Sequence, residues 1–333
     1  MSEAPRIWLL LGHRRGDNNQ VLALGEALGV PFETRTMTYK WLARLRMKLF
    51  KIGAGHLKPS ARQWLQPPWP DLVVDIGRRT VPVARWIQQR NDGRTRLVRL
   101  GHPRAPNDWF DLVVTTRQYP VPPGENVLTL PLAMNRFRTP PAPTETEKGW
   151  LDGLARPHLL LSLGGPSAMW QLDNAALRLA ATKLVRRVEA DGGTLIAVGS
   201  PRTPADAWAV VREALGESRN AAVVAKNEVR YPVLLADADE HHVTADSVSM
   251  ISEAVMTGKP VGLISVEPDA RGRRRIRGRP PEATNMRDPR RFWADVQARG
   301  LVGTVDQPKA GKFVDPVETA VAAVRDRLGG LVP

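Results

Sequence analysis

Asp246, Ser247 and Ser249 stand together in the stretch HHVTADSVSMISEAVMTGKPVGLI, residues 241–264, where a short apolar run gives way to a helical pattern. A strand that ends at Thr244 and opens onto a helix start makes an anion site. The first backbone N–H groups of a helix are unpaired, and the positive end of its dipole lies there. Ser247 and Ser249 add hydroxyl donors, and Asp246 or Ser247 can cap the helix, so a plain capped βαβ unit would carry the same residues. Two further strand ends bear on the choice. SLGGPS, residues 162–167, follows an apolar run, and Gly164-Gly165 would let backbone approach a phosphate closely. VGSPRTP, residues 198–204, sets Arg202 where a guanidinium can clamp a phosphate with two parallel hydrogen bonds. A turn and a surface charge would explain each alone; three phosphate-suited strand ends in one segment point to a phosphate-bearing ligand.

These ends need a sheet to hold them. Apolar runs at 6–12, 32–37, 71–77, 96–101 and 111–116 read as strands, with helical stretches near 18–29, 40–51 and 80–90. Strands alternating with helices predict a parallel sheet covered on both faces. FRTPPAPTETEKG, 137–149, is rich in Pro, Thr and Glu and reads as a linker. The alternation then restarts, with strands at 158–165, 194–200, 221–226 and on either side of the 246–258 segment. A last helix over 315–328 is stopped by Gly329-Gly330. The expected organisation is an N-terminal domain, 1–136, the linker, a C-terminal domain, 150–314, and a terminal helix, 315–333, that returns to the first domain. Both domains are expected to be doubly wound and Rossmann-like, with ligands at the carboxyl ends of the strands and a cleft between the domains.

The chain has 333 residues, 42% of them hydrophobic, which is ample for two cores. No apolar run approaches the roughly 20 residues of a membrane span. The start, MSEAPRIWLLLGHRRGD, reads as a first strand rather than a signal peptide. Absence of cysteine excludes disulfides and thiolate metal sites and suits the cytoplasm. The net charge of +14, carried mostly by arginine, suits an anionic partner: nucleotide, anionic lipid or nucleic acid. Asp237-Ala238-Asp239 imitates an Asp-x-Asp metal motif but has no further ligand at useful spacing, and the six histidines are scattered, so no metal is expected.

The series GDNNQ, PDLVVDIGRRT, HPRAP, SLGGPS, SPRTP and VTADSVSMISEAVMTGKPV resembles the bacterial relatives of the plant elongated-mitochondria fission factor, from about residue 6 to 265. Arg117-Gln118 stands where the resemblance leads one to look for a His-Asp pair. The resemblance implies a GT-B-like fold and a metal-independent glycosyltransferase without cofactor. Its substrate would be a nucleotide-activated sugar and its acceptor a membrane-associated or envelope molecule. It assigns Gly164, Gly165, Ser167, Arg202, Asp246, Ser247 and Ser249 to the donor, with Glu253 on the ribose. The N-terminal domain would take the acceptor. Inverting transfer needs a base, for which Asp17 is the first candidate and His13 the second, although Asp17 can equally be a helix cap. Arg78, Arg79 and Thr80 could bind an acceptor anion or cap the helix that follows, and His102 sits at a strand end beside them or makes a structural hydrogen bond. Two other readings keep the fold: an adaptor that recruits a protein partner at a membrane, and a nucleotide-sugar epimerase.

Two basic stretches complete the reading. YKWLARLRMKLFK, 39–51, sets Trp41, Leu42, Leu45 and Leu49 on one helical face and suits either a peripheral site on the inner, anionic membrane face or packing on its own sheet. RGRRRIRGR, 271–279, reads as a charged loop. Nucleic acid is not favoured, because no binding motif or aromatic platform accompanies the arginines.

Overall fold

The computed structural model describes residues 4–41, 52–136, 140–167, 169–225 and 228–329. The chain divides into two compact units, Met1–Arg136 with Val314–Pro333, and Phe137–Phe313.

Unit 1 is built on β1 (Ile7–Leu11), β2 (Phe32–Thr36), β3 (Leu72–Ile76), β4 (Arg96–Leu100), β5 (Leu112–Thr116) and β6 (Val127–Leu130). They form one sheet in the order β2-β1-β3-β4-β5-β6, parallel throughout. Central parallel strands are covered on both faces, so β3 and β5 each open on an apolar Leu-Val-Val run and are buried at every position. Side chains alternate between the faces. Ile7 and Leu9 join one core with α1 (Arg15–Ala27), whereas Trp8 and Leu10 join the other with α3 (Val81–Arg90) and Ala61 of α2 (Pro59–Arg62). The edge strand β2, FETRT, is charged and largely exposed, which blunts an otherwise open edge. The last helix, α11 (Pro316–Arg327), packs Val317, Ala320, Val321 and Val324 into the same core as α1.

Unit 2 starts with α4 (Glu145–Asp152), followed by β7 (His158–Leu163), β8 (Trp170–Leu172), α5 (Asn174–Asp191), β9 (Thr194–Gly199), α6 (Ala205–Leu215) and β10 (Ala221–Val223). It continues with α7 (Tyr231–Asp237), β11 (Glu240–Thr244), α8 (Val248–Val255), β12 (Val261–Ile264), β13 (Val266–Pro268), α9 (Ala270–Ile276), α10 (Pro289–Ala298) and β14 (Gly303–Thr304). Its sheet, again parallel, has the order β10-β9-β7-β11-β12-β14, and β8 and β13 form a separate antiparallel pair. The chain winds outward from β7 to β9 and β10, then reverses to β11 and β12. The switch point of this unit therefore lies at β7 and β11; that of unit 1 lies at β1 and β3.

Three expectations are corrected or displaced. Residues 145–152, partly within the stretch read as linker, are helical, because Thr144 and Glu147 form a reciprocal capping box. Glu147 also takes the Arg230 guanidinium at 2.7 and 2.6 Å, which holds its carboxyl well below the ordinary range. RGRRRIRGR is helical over 271–276 and a turn only over 277–279: Asp269 caps α9 through the Gly272 N–H at 2.6 Å, and buried Gly272 and Ile276, four residues apart, seat one face of it. The helix expected over 39–51 lies mostly outside the described residues; Tyr39 bridges to Leu57 and Trp41 is 71% exposed. Among the described residues no helix is long and apolar enough to cross a membrane.

Thr144→Ala should lower stability by about 1 kcal/mol, the usual cost of a lost N-cap. Glu147→Ala should cost more, because Arg230 loses its carboxylate as well. Scanning calorimetry checks the order of the two melting temperatures, and an unchanged value for Glu147→Ala would contradict it.

Candidate functional site

In unit 2 the three strand ends singled out in the sequence belong to neighbouring strands, β9, β7 and β11. Ser247 is the N-cap of α8 and accepts the Met250 N–H at 3.4 Å. The Val248 and Ser249 N–H groups remain at the helix start, on a dipole end that favours an anion.

Asp246 is neither the cap nor a group open to a ligand. Its side chain is 0% exposed. One carboxylate oxygen accepts the Gly165 N–H at 2.9 Å and the other the Thr244 hydroxyl at 2.7 Å, while that hydroxyl accepts the Gly164 N–H at 2.8 Å. Burial pushes the Asp246 carboxyl up, and the Gly165 N–H and Thr244 hydroxyl oppose that shift. Asp246 therefore fixes the SLGGPS loop against α8. The glycines have the same explanation. A Cβ on Gly164 would lie 2.2 Å from the Asp246 carboxylate, and one on Gly165 would lie 2.3 Å from the Arg202 carbonyl oxygen. Close packing within the protein accounts for both, in place of the expected approach to phosphate. Ser167 donates to the Asp246 carbonyl at 3.3 Å, and Arg202 donates to the Pro166 carbonyl at 2.9 Å while half of its side chain stays in solvent. Ser200 and Thr203, which sequence reasoning passed over, donate to the Gly164 carbonyl at 3.0 and 2.6 Å. Trp293 of α10 donates to the Ala245 carbonyl at 2.8 Å.

Glu253 sits on the second turn of α8, with no hydrogen-bond or ion-pair partner among the described residues. Burial pushes its carboxyl up to about 7. The Tyr231 hydroxyl is pushed up by burial and by the neighbouring Glu253 carboxylate, and the Ser162 hydroxyl opposes that rise. Ser162, Tyr231 and Glu253 are thus polar neighbours, Ser162 buried and the other two half-buried. The first two escaped notice because each stands in an apolar run.

Asp237 and Asp239 lie at the opposite ends of the strands, where β7 and β11 begin. Asp237 accepts from the His158 ring at 2.6 Å, and Asp239 accepts the His158 N–H at 2.9 Å and Arg156 at 2.8 Å. Among the described residues no cluster of His, Asp or Glu is arranged to hold a metal ion.

In unit 1 a cavity of ≈360 Å³ opens at the ends of β1, β3 and β4. It brings together Asp17, His13, Arg78, Arg79 and His102, the acceptor-side residues singled out in the sequence, and adds Tyr39, Arg14, Arg99, Arg104 and Tyr119. Asp17 is not the helix cap. The cap position is Arg14, without a side-chain bond, and the Asn18 amide instead clamps Gly12 at its N–H (2.8 Å) and carbonyl (2.9 Å). Asp17 lies in the first turn of α1 and faces the cavity. Thr80, at the start of α3, caps nothing with its side chain; its hydroxyl donates to the Gly77 carbonyl at 2.8 Å.

The base of the cavity is a buried ion pair. Arg99, 1% exposed, meets Asp75, also 1% exposed, at 2.6 Å, and donates to the Gly77 carbonyl at 2.9 Å and the His102 carbonyl at 3.1 Å. One guanidinium thereby ties the turns after β3 and β4 together. His102 accepts the Arg104 N–H on Nδ1 at 3.0 Å, so its proton sits on Nε2. Burial, then Arg104 and Arg99, lower its pKa to about 4, so the ring is neutral at neutral pH.

Residues 15–279 match the family described as Mitochondrial fission ELM1. The chain belongs to this family. An ELM1 relative, Mitochondrial fission protein ELM1 of Arabidopsis thaliana, is 29% identical over 233 residues, 62% of this chain. The match covers 54% of that protein, so the chain spans about half the length of this relative. The uncharacterized protein RP120 of Rickettsia prowazekii is 22% identical over 301 residues, 77% of this chain and 82% of that protein. Among solved structures, UDP-GlcNAc 2-epimerase from Methanocaldococcus jannaschii aligns with a TM-score of 0.52 at 12% identity, over 96% of this chain and 99% of that one. An S. aureus MnaA–UDP co-structure aligns with a TM-score of 0.50 at 12% identity, over 98% of both chains. The ELM1-family chain thus has a GT-B-like α/β fold with two parallel six-stranded sheets.

Two measurements check the electrostatics. The folded chain holds a proton on Glu253 that the unfolded chain releases between pH 4.5 and about 7, so this group lowers stability as pH rises through that window. Glu253→Gln should melt above the wild type near pH ~8, by at most about 3 kcal/mol, and level with it near pH ~4; a difference independent of pH would contradict this. Arg99→Met should cost about 3–5 kcal/mol, because it strands a buried carboxylate, and Arg99→Met with Asp75→Leu should recover most of the loss. Chemical denaturation of the single and double variants reads the difference.

Proposed function

We propose that this ELM1-family chain is a metal-independent glycosyltransferase that binds a nucleoside-diphosphate sugar in unit 2. The observation that carries the reading is Glu253, a half-buried carboxylate without a partner among the described residues, one turn behind the capped start of α8. An ionised carboxylate in that position is suited to accept two ribose hydroxyls. The Val248 and Ser249 N–H groups and the Ser249 hydroxyl would take the diphosphate, with Arg202 adding a half-exposed guanidinium at the adjacent strand end. The same interactions would stabilise the leaving nucleoside diphosphate without a metal or any other cofactor, because its charge develops against a fixed dipole. The likeness of the fold to an S. aureus MnaA–UDP co-structure supports a nucleotide in such a unit.

The acceptor is assigned to the cavity of unit 1. There Asp17 takes the proton of the attacking hydroxyl as its oxygen bonds to the anomeric carbon and the bond to the diphosphate breaks. His13 lines the same cavity and is the second candidate for the base. His102 is held neutral by its surroundings and is assigned to positioning. Trp41, 71% exposed, belongs to the stretch that would dock the chain on an anionic membrane from the cytoplasmic side.

Calorimetric titration with nucleoside diphosphates tests the donor site. The wild type should bind at least one of them, and Glu253→Ala should weaken that binding by about 1–3 kcal/mol, the worth of hydrogen bonds to a charged group. Ser249→Ala should have a smaller effect. Absence of binding to the wild type at millimolar concentration would overturn the enzyme reading in favour of an adaptor that keeps the fold. Binding that leads only to isomerised nucleotide sugar, with no product on any acceptor, would make the chain an epimerase.

A further inference from the structure

Among the described residues, the side chains that line the cavity of unit 1 carry more positive than negative charge. Arg14, Arg78, Arg79 and Arg104 all line it, and none of them has a carboxylate partner among the described residues. Arg79 lies over the Tyr39 ring at 5.1 Å, which orients the guanidinium and leaves its charge unpaired. Arg99 is excluded from this count, because Asp75 and two carbonyls already occupy it. Asp17 is the one carboxylate on the wall.

Arg104 is placed there at a cost. Its φ is +59°, in the left-handed region that a non-glycine residue rarely adopts. Its N–H is held by His102 Nδ1 at 3.0 Å, and His102 in turn is held by Arg99 through its carbonyl. Burial, and the nearby charges of Arg78 and Arg99, lower the Arg104 pKa against the pull of Tyr119. A loop that bends backbone unfavourably to bring a cation toward like charges is the arrangement expected of a site completed by an anion.

We propose that this cavity binds a phosphoryl group, as a phosphate monoester or diphosphate, through Arg78, Arg79 and Arg104 with Arg14 at its side. A single carboxylate would neutralise one of these charges, whereas a phosphate presents two and a diphosphate more, with enough oxygens for several guanidinium forks. A cavity of ≈360 Å³ holds the phosphoryl group and the part of the molecule next to it. Where the chain acts as a transferase, which rests on the function proposed above, this makes the acceptor a phosphorylated molecule. Anion binding itself does not depend on that reading.

Titration calorimetry with inorganic pyrophosphate tests the proposal. Arg78→Gln with Arg104→Gln should weaken binding at least about tenfold. Arg274→Gln with Arg275→Gln, an equal loss of charge on α9, should leave it within about twofold, as screened surface charge does. Arg78→Lys with Arg104→Lys should fall between, since it keeps the charge and loses the forks. Each variant is first shown to melt like the wild type. The titration is run with and without saturating UDP, so a site in unit 2 is scored separately. Failure of UDP to bind would sink the donor reading and leave the arginine comparison intact. Vesicles of phosphatidylcholine with and without phosphatidic acid then identify the source. Loss of binding to phosphatidic acid vesicles in the same cavity variant would assign a lipid phosphate, and unchanged vesicle binding a soluble one. If the cavity and α9 variants weaken pyrophosphate equally, or neither does, the proposal is overturned.

Discussion

The carboxylate of Asp246 is the constraint on which the candidate site of unit 2 depends. It is wholly buried, and its two oxygens are spent on Gly165 and Thr244. Through them the end of β11 grips the turn after β7, and the Ser167 hydroxyl returns to the Asp246 carbonyl. The strand ends at the switch point thereby become one body, and the start of α8 is aimed by its neighbours rather than by its own short length. A helix of eight residues would be marginal alone, and packing of Val248, Ile251 and Val255 holds it in place. Removing the Asp246 carboxylate would leave the buried Gly165 N–H and the Thr244 hydroxyl in search of partners, which explains why a costly buried charge stands there.

Unit 1 uses the same device with the opposite sign. Arg99 stands one residue from the end of the central strand β4, is neutralised by Asp75 on the next strand, and spends its remaining donors on the turns after β3 and β4. In both units a buried charged side chain near a parallel-strand end ties the two loops that follow. The loops then present less buried groups above it: Ser249 and Arg202 in unit 2, Arg78, Arg79 and Arg104 in unit 1. Catalysis by fixed dipoles requires such rigidity, because groups that must reorganise during reaction lose most of their advantage.

The sheets were legible in the sequence because strands with apolar runs such as IWLLL alternate with helical stretches, the pattern of a parallel sheet covered on both faces. The short strand β6 and the whole of α10 were not. In α10, buried Phe292 and Val296 lie at helical spacing behind an Asp288 cap, a weak signal among the surrounding arginines. The capping pair Thr144 and Glu147 was hidden in a Pro-rich stretch. The strand-end residues were legible by type, yet their roles were not. Gly164-Gly165 reads as a phosphate loop, and only the contact with Asp246 and Arg202 reveals that the protein itself fills the space. Asp75 and Arg99 each interrupt an apolar strand, a signal that becomes meaningful only when β3 and β4 are known to be neighbours. Arg104 could not be foreseen, since its backbone conformation is set by a histidine two residues away.

The family likeness and the fold leave open what an ELM1-family chain does with such a unit, and the answer turns on Glu253. A carboxylate whose pKa is pushed up to about 7, with no partner among the described residues, weakens the folded state at neutral pH, and the nucleotide proposed above would offset that cost by donating hydrogen bonds to it. A crystal structure of the chain soaked with UDP is the most direct measurement. The account predicts diphosphate oxygens within hydrogen-bond distance of the Val248 and Ser249 N–H groups and the ribose hydroxyls on the Glu253 carboxylate. UDP bound elsewhere, or a start of α8 left with solvent alone at saturating nucleotide, would contradict it.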